Sequence, residues 1–175
     1  MKLRTLSLPL LLSASSLAAT LLAGCGGGSE TPAPPKSSVP DKFFLASAPA
    51  GALTPLQLRA GELPSAPIAV TGRAMDFIDG RAAFRLVDAS LKSCADMGGL
   101  DHCPTPWDYC CEDPKSLSAA TITVEVREAD RLLASSVRGF HGLDHLTPVT
   151  VSGTLSKDAA GNLTLVASGL HPAPE

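Results

Sequence analysis

Apolar and polar side chains alternate, position by position, along five segments of the chain after residue 66. In the first of them, Ile68 and Val70 alternate with Ala69 and Thr71. Successive side chains of a β-strand point to opposite faces, so this period of two predicts strands with one buried face. The predicted strands span residues 68–73, 82–87, 121–127, 149–156 and 163–167.

Turn-forming residues separate these segments. Asp79-Gly80 lies between the first two segments and is typical of a tight hairpin. Residues 157–162 predict a looser turn between the last two, and residues 129–148 predict an irregular connection before them. The pattern therefore predicts five antiparallel strands, as a three-strand meander followed by a final hairpin. Short strands of this kind avoid exposed edges by closing into a barrel.

Three stretches of this pattern resemble the OB-fold: VTGRAMDFIDGRAAFRLVD at 70–88, VTVSGTL at 149–155 and NLTLVASGL at 162–170. The resemblance implies an all-β, five-stranded OB-like Greek-key barrel over residues 66–175, with an insertion at about 89–115 between the second and third strands. The chain is also similar to uncharacterised bacterial envelope lipoproteins that join such a barrel to a Cys-rich insertion like CPTPWDYCC. That resemblance implies no established activity.

The N-terminal residues predict export and lipid anchoring. Lys2 and Arg4 precede an apolar stretch, which ends in Leu-Ala-Gly-Cys at 22–25. A positive start, an apolar middle and small residues before the cut are typical of a secretory signal. The ending resembles the bacterial lipobox, which implies cleavage after residue 24 and diacylglycerol and palmitate on Cys25. Gly26 after the cysteine slightly favours the outer membrane, with the domain facing the periplasm.

Residues 25–65 are predicted to connect this anchor to the barrel. The run GGGSETPAPPKSSVP at 26–40 offers almost nothing to bury and predicts a flexible, then extended tether. Prolines continue to Pro67, so Phe43–Leu63 is predicted to be a partly ordered lead-in.

Charge excludes one class of partner. Lys2 and Arg4 are two of the 14 basic residues, and all 17 acidic residues follow Cys25, so the mature chain has 12 basic and 17 acidic residues and a net charge of about −5. Nucleic-acid binding requires a positive surface, and single strands also need stacking aromatic rings. The outward positions of the predicted second and third strands carry no aromatic residue. Nucleic acid is therefore not expected as a partner.

The predicted insertion holds every cysteine except Cys25. Cys94, Cys103, Cys110 and Cys111 follow the spacing Cys-x8-Cys-x6-Cys-Cys. An even number of thiols in an exported chain favours two disulfides, which would pin a loop that has little periodicity of its own. A bridge between the adjacent Cys110 and Cys111 is strained. The favoured pairings are therefore 94–110 with 103–111, or 94–111 with 103–110.

A metal site is the alternative interpretation of the same residues. Four thiolates and His102, with Asp96, Asp101 and Asp108 nearby, are suitable ligands for zinc or copper. The spacing differs from paired C-x2-C knuckles, and the adjacent Cys110 and Cys111 must point opposite ways unless the backbone turns sharply, which argues against a metal site. A redox-active thiol is a third interpretation, but no C-x-x-C element supports it.

Trp107 and Tyr109, the one tryptophan and the one tyrosine of the chain, also lie in the insertion. One interpretation is that Trp107 covers the cross-linked loop as a small satellite core. The other is that both rings are exposed and form a contact patch for a ligand or partner.

Evidence for catalysis is weak. His141 and His145 lie four residues apart around Asp144, but Gly142 and Pro148 favour a loop there, and the Glu of H-E-x-x-H is missing. The sequence therefore predicts no enzyme and no cofactor. It favours a membrane-anchored, non-enzymatic binding or scaffolding module with a protein or small-ligand partner. The alternative is a zinc- or copper-binding protein that uses the cysteine insertion.

Overall fold

A computed structural model describes residues 39–98 and 103–173 of the protein. The predicted signal peptide, the lipidated Cys25, the tether up to residue 38 and the candidate ligand His102 lie outside the described residues. The predictions made for them therefore stay predictions.

Strands dominate the described chain, and their buried positions follow the alternation seen in the sequence. In β1, for example, Val70, Gly72 and Ala74 are buried, whereas Thr71 and Arg73 are partly exposed. The bounds are β1 Ile68–Met75, β2 Ala83–Val87, β3 Thr121–Glu128, β4 Arg131–Leu132, β5 Pro148–Lys157 and β6 Leu163–Pro172.

Five of these strands close into an OB-like barrel, as the sequence predicts. The pairing runs β2-β1-β5-β6-β3, and β2 pairs with β3 to complete the ring. The prediction that all five strands are antiparallel is wrong at one place, since β3 and β6 run parallel. The reason is topological: a closed ring with an odd number of strands cannot alternate direction at every step. The two-residue β4 pairs only with the end of β3 and lies outside the ring.

The barrel interior is filled by aliphatic side chains and one phenylalanine from the inward positions. Close packing leaves no room for a side chain at Gly72, where a Cβ atom would lie 2.4 Å from the backbone oxygen of Val87. The predicted Asp79-Gly80 turn is present, and Gly80 takes the left-handed conformation (φ +68°) that glycine adopts without strain. The strands contribute the core side chains Phe84, Leu86, Ile122, Val124, Val126, Leu165 and Leu170, and Leu58 and Leu143 add to them from outside the strands.

The last strand is longer than its alternation predicts because it contains a bulge. Ser152 of β5 pairs with Gly169, but the next residue, Gly153, pairs with Ala167, so Ser168 is an extra residue on β6. The extra residue shifts the alternation by one position. The inward series that stops at Ala167 therefore resumes at Leu170.

The lead-in before the barrel is more ordered than its proline content suggests. A 3-10 helix spans Asp41–Phe43, and α1 spans Pro55–Ala60 behind a capping box made by Thr54 and Gln57. Bridges join Phe44 to Leu170 of β6 and Leu53 to Val70 of β1. This segment therefore forms part of the barrel wall.

The remaining helices are short. α2 spans Pro114–Ala119, and two more 3-10 turns span Cys94–Met97 and Phe140–Gly142. Within residues 39–98 and 103–173, every helix falls short of the length and apolar character that crossing a membrane demands.

Candidate functional site

The cysteine insertion leaves the barrel at the end of β2 and returns through α2. Its base is closed by a hydrogen bond of 2.8 Å from the Asp88 N–H to the Ala120 carbonyl oxygen. The Asp88 side chain is buried, and it accepts hydrogen bonds from Ser90 and from the backbone N–H of Leu56. Burial opposes ionisation of this carboxyl, but hydrogen bonds from Thr54 and Ser90 outweigh it and lower the pKa of Asp88.

Tyr109 anchors the insertion to the outside of the barrel. Its side chain is only 1% exposed and packs with Met75 of β1 and Val87 of β2. The Tyr109 hydroxyl is buried and has no hydrogen-bond partner among the described residues. The prediction that Tyr109 belongs to an exposed contact patch is therefore wrong. The ring covers Val87, a position that alternation alone placed on the solvent face.

A second anchor lies at the 3-10 turn that begins with Cys94. Ser93 and Asp96 form a capping box, in which the Asp96 carboxylate accepts hydrogen bonds from the backbone N–H and hydroxyl of Ser93. The same carboxylate pairs with the Arg73 guanidinium of β1. Chiefly through this hydrogen bond, Arg73 lowers the pKa of Asp96 to about 2. The candidate ligand Asp96 is therefore held by Arg73.

Two backbone hydrogen bonds bring the cysteine-bearing segments side by side. The Cys94 N–H donates to the Asp108 carbonyl oxygen at 2.8 Å, and the Ala95 N–H donates to the Pro106 carbonyl oxygen at 2.7 Å. This pairing places Cys94, from the start of the insertion, beside Cys110. The Asp108 carboxylate accepts from the backbone N–H of Tyr109 at 2.7 Å.

The sulfur atoms converge. Cys94 Sγ lies 3.2 Å from Cys110 Sγ, and Cys103 Sγ lies 3.8 Å from Cys110 Sγ. The sulfurs of Cys94, Cys110 and Cys111 all lie within 4.8 Å of one another. Cys110 is therefore the central member of a thiol cluster, defined here as Cys94, Cys103, Cys110 and Cys111.

No disulfide joins the members of the thiol cluster, all of which are described residues. The closest sulfur pair is separated by 3.2 Å, well beyond the disulfide bond length of about 2.05 Å. The predicted pairs are thus not formed in this structure. Because Cys110 contacts two other thiols, the geometry also does not separate the sulfurs into two pairs.

The cluster has one buried member and two exposed members. Cys94 is 2% exposed, whereas Cys110 and Cys111 lie at the surface. A hydrogen bond with Cys110, together with burial, raises the pKa of Cys94 to about 11. The Cys94 thiol is therefore harder to deprotonate than an ordinary cysteine.

Trp107 contacts a different part of the chain from the one predicted. Its ring stacks on His145, with centroids 5.1 Å apart and planes 22° apart, and the ring of Phe77 meets the same imidazole edge-on at 5.2 Å. Trp107 is 37% exposed and lines a shallow cavity of about 310 Å³ with Arg138. It therefore links the insertion to the loop before β5.

His141 and His145, the two histidines considered for catalysis, contact different partners. His141 stacks on Phe44, and its Nε2 lies 3.2 Å from Asp41 Oδ1. His145 is partly buried between Trp107 and Phe77, and burial lowers its pKa. The predicted loop is confirmed, since only a 3-10 turn spans Phe140–Gly142.

A second cavity, of about 510 Å³, lies where β3 meets α2 and the β5–β6 turn. Arg59 and Arg85 line it, and Arg59 is held by a hydrogen bond of 2.9 Å to the Thr121 carbonyl oxygen. Thr121 is buried and donates to the Leu117 carbonyl oxygen at 2.6 Å. Tyr109 and α2 therefore cover Val87 and Thr121 on the outward face of β2 and β3, whereas Arg85 on the same face is exposed.

A scan against protein-family models and a search of curated proteins each found no match to this chain.

Proposed function

We propose that this protein is a non-enzymatic, lipid-anchored protein of the bacterial envelope, whose barrel carries a thiolate site for a soft metal ion, zinc or copper. The observation that carries the metal-binding proposal is the convergence of the thiol cluster. Three of its sulfurs lie within 4.8 Å of one another, and the sulfur of Cys103 lies 3.8 Å from Cys110 Sγ.

These separations suit metal ligation. Thiolates bind zinc at about 2.3 Å, and a tetrahedral arrangement then separates the sulfurs by about 3.8 Å. The observed separations of 3.2 Å and 3.8 Å lie near that value. Thiolate is also the ligand type that soft metals prefer.

The thiols are also not required to hold the insertion in place. Tyr109 is buried against the barrel, and Asp96 pairs with Arg73 of β1. Disulfides were predicted because the insertion has little periodicity with which to order itself by burial. Two other anchors hold it, which favours a role for the thiols in binding.

The lipid anchor is supported by the sequence. A basic start, an apolar stretch and Leu-Ala-Gly-Cys at 22–25 favour export and lipidation of Cys25. Acyl chains on Cys25 would hold the protein at the membrane. Mass spectrometry of the unsubstituted protein and of the Cys25→Ser variant tests the lipid anchor. We expect the mass of the acyl groups on the unsubstituted protein and its absence from the variant. The same acyl mass on both proteins would contradict lipidation of Cys25.

The experiment for the metal site is a titration of the reduced full chain, under anaerobic conditions and with Cys25→Ser as the common background. We expect one equivalent of zinc or Cu(I) to bind, and Cys110→Ser to weaken binding at least tenfold because Cys110 is central. Ser118→Ala, which lies on α2 outside the thiol cluster, is the matched control and should bind as the background protein does.

The same preparation tests the competing interpretation. Protein taken from the envelope without reductant is analysed by peptide mapping and elemental analysis. Two disulfides and no metal, together with no binding after reduction, would contradict the metal site and favour the scaffolding module. One stoichiometric metal and four thiols would support the proposal.

A further inference from the structure

We infer that the thiol cluster binds copper as Cu(I) through three thiolates, those of Cys94, Cys110 and Cys111, at a site open to ligand exchange. This inference rests on the proposed metal-binding function. It names the ion, the ligands and the use of the site.

The number of ligands follows from the positions of the sulfurs. Cys94, Cys110 and Cys111 form a set in which every sulfur lies within 4.8 Å of the others. Cys103 Sγ approaches Cys110 but also contacts Thr105, at 3.4 Å from its carbonyl oxygen and 3.5 Å from its hydroxyl. Three sulfurs therefore lie within 4.8 Å of one another, and the fourth, that of Cys103, contacts both Cys110 and Thr105.

Three thiolates suit Cu(I) better than structural zinc. Structural zinc sites have four protein ligands in a closed tetrahedron. Cu(I) is a soft, monovalent ion that thiolates select, and it needs fewer than four of them. With a metal–sulfur distance of about 2.3 Å, a trigonal set requires sulfurs about 4.0 Å apart. The Cys94–Cys110 sulfur separation of 3.2 Å is shorter than this value, and the 4.8 Å limit on all three separations is longer.

Binding balances simply in charge and protons. Three thiol protons leave for the solvent as one Cu⁺ ion enters, and no electron is transferred. The resulting site carries a net charge of −2. Because binding releases protons, affinity is expected to rise with pH.

The exposure of the ligands indicates exchange rather than permanent binding. Cys94 is buried, and its backbone N–H is bound to Asp108, so it forms a fixed floor. Cys110 and Cys111 lie at the exposed rim. A thiolate or thioether of an incoming partner therefore reaches the ion from the solvent side without unfolding of the insertion.

The test compares single Cys→Ser variants of the full chain in the Cys25→Ser background, reduced and in detergent. Colorimetric chelators compete with each protein for Cu(I) in one series and for zinc in the other, so that the affinity for each metal is measured. We expect Cys103→Ser to keep its Cu(I) affinity within threefold. Cys110→Ser and Cys111→Ser, both at exposed positions, should lower the Cu(I) affinity at least 100-fold. X-ray absorption of the copper-loaded protein should count three sulfur neighbours.

The possible outcomes distinguish a three-thiolate Cu(I) site from metal binding in general. A site that prefers zinc, with four sulfur neighbours and an equal loss for Cys103→Ser, would overturn the inference and leave the metal-binding function standing. Absence of binding for both metals in the reduced background protein would overturn both. Circular dichroism and Trp107 fluorescence of each variant identify any loss caused by misfolding.

Discussion

The barrel and the cysteine insertion are neighbours in this molecule but are ordered in different ways. The barrel is a closed ring of paired strands around an aliphatic interior, so each strand supports the next. In its described residues, 89–98 and 103–120, the insertion has one short 3-10 turn and one short helix, and it is attached at separate points, notably Tyr109 and Asp96. The barrel is held by strand pairing around its whole circumference, and the insertion is held at a few anchor points.

This difference determines which side chains can meet a ligand from solvent. A side chain in the barrel interior is needed for packing and is shielded from solvent. In the insertion, by contrast, Tyr109 and Asp96 anchor the segment to the barrel, and two of the four thiols lie at the surface. Reactive groups are commonly placed on loops that a rigid scaffold positions.

The largest expected effect is in the barrel core. Phe84→Ala removes a ring that is 1% exposed, and it should lower the free energy of unfolding by about 3–5 kcal/mol because a cavity remains. Urea unfolding followed by circular dichroism measures the change. The neighbouring Arg85→Ala, at an exposed position of the same strand, should change stability by less than about 0.5 kcal/mol. Equal losses for the two would contradict the assigned core.

Tyr109→Ala is expected to affect the insertion first. Loss of the ring from between Met75 and Val87 should cost about 2–4 kcal/mol and increase hydrogen exchange across residues 89–112 before the barrel strands. Tyr109→Phe is the matched control. It removes a buried hydroxyl that has no partner in the described chain, so it should be neutral or slightly stabilising. Uniform exchange in barrel and insertion would show that the two regions unfold together.

The ion pair of Asp96 should make a smaller, pH-dependent contribution. Because Arg73 holds the pKa of Asp96 at about 2, below its ordinary value, the stabilisation is complete above about pH 5 and is lost as the pH falls through about 2. The Asp96 side chain is 35% exposed, so solvent screening limits the effect of Asp96→Asn to about 1 kcal/mol at pH 7.

Urea unfolding of Asp96→Asn and the unsubstituted protein between pH 2 and pH 7 checks this sign. The difference between the two proteins should shrink towards low pH. Asp76→Asn, which breaks the exposed pair of Asp76 with Arg85 on the barrel, is the control and should cost less than about 0.5 kcal/mol at any pH. A difference that grows on acidification would contradict the assigned role of Arg73.

The smallest expected effect concerns the thiols themselves. Cys110→Ser should change the stability of the reduced protein by less than about 0.5 kcal/mol, because the side chain is exposed and other residues hold the insertion. Protein purified without reductant provides the contrast. A loss of about 2–4 kcal/mol there would mean that a disulfide stabilises the insertion after all.

The alternation of apolar and polar residues was sufficient to predict the barrel strands, because a strand with one buried face imposes a period of two on its own sequence. It failed where two faces are covered. Val87 and Thr121 sit at outward positions of β2 and β3, but Tyr109 and α2 bury them from the other side. It also failed at Ser168, where one extra residue shifts the period.

For the candidate site, the sequence indicated four cysteines, and the structure brings their sulfurs close together. Their type and spacing favoured disulfides over a metal site. Nothing local marked Tyr109 as an anchor, since its partners Met75 and Val87 come from two other strands. The Trp107–His145 stack likewise joins residues 38 positions apart, across the irregular connection before β5.

The sequence by itself determined the strand pattern, the turns, the candidate thiols and the signals for export, because each depends on short-range order or residue type. Only the tertiary structure decided that β3 and β6 run parallel, that the insertion lies on the barrel, and that three sulfurs lie within 4.8 Å of one another. The physical reason is that these features depend on contacts between distant parts of the chain. Closing the ring sets those contacts, and no local pattern encodes them.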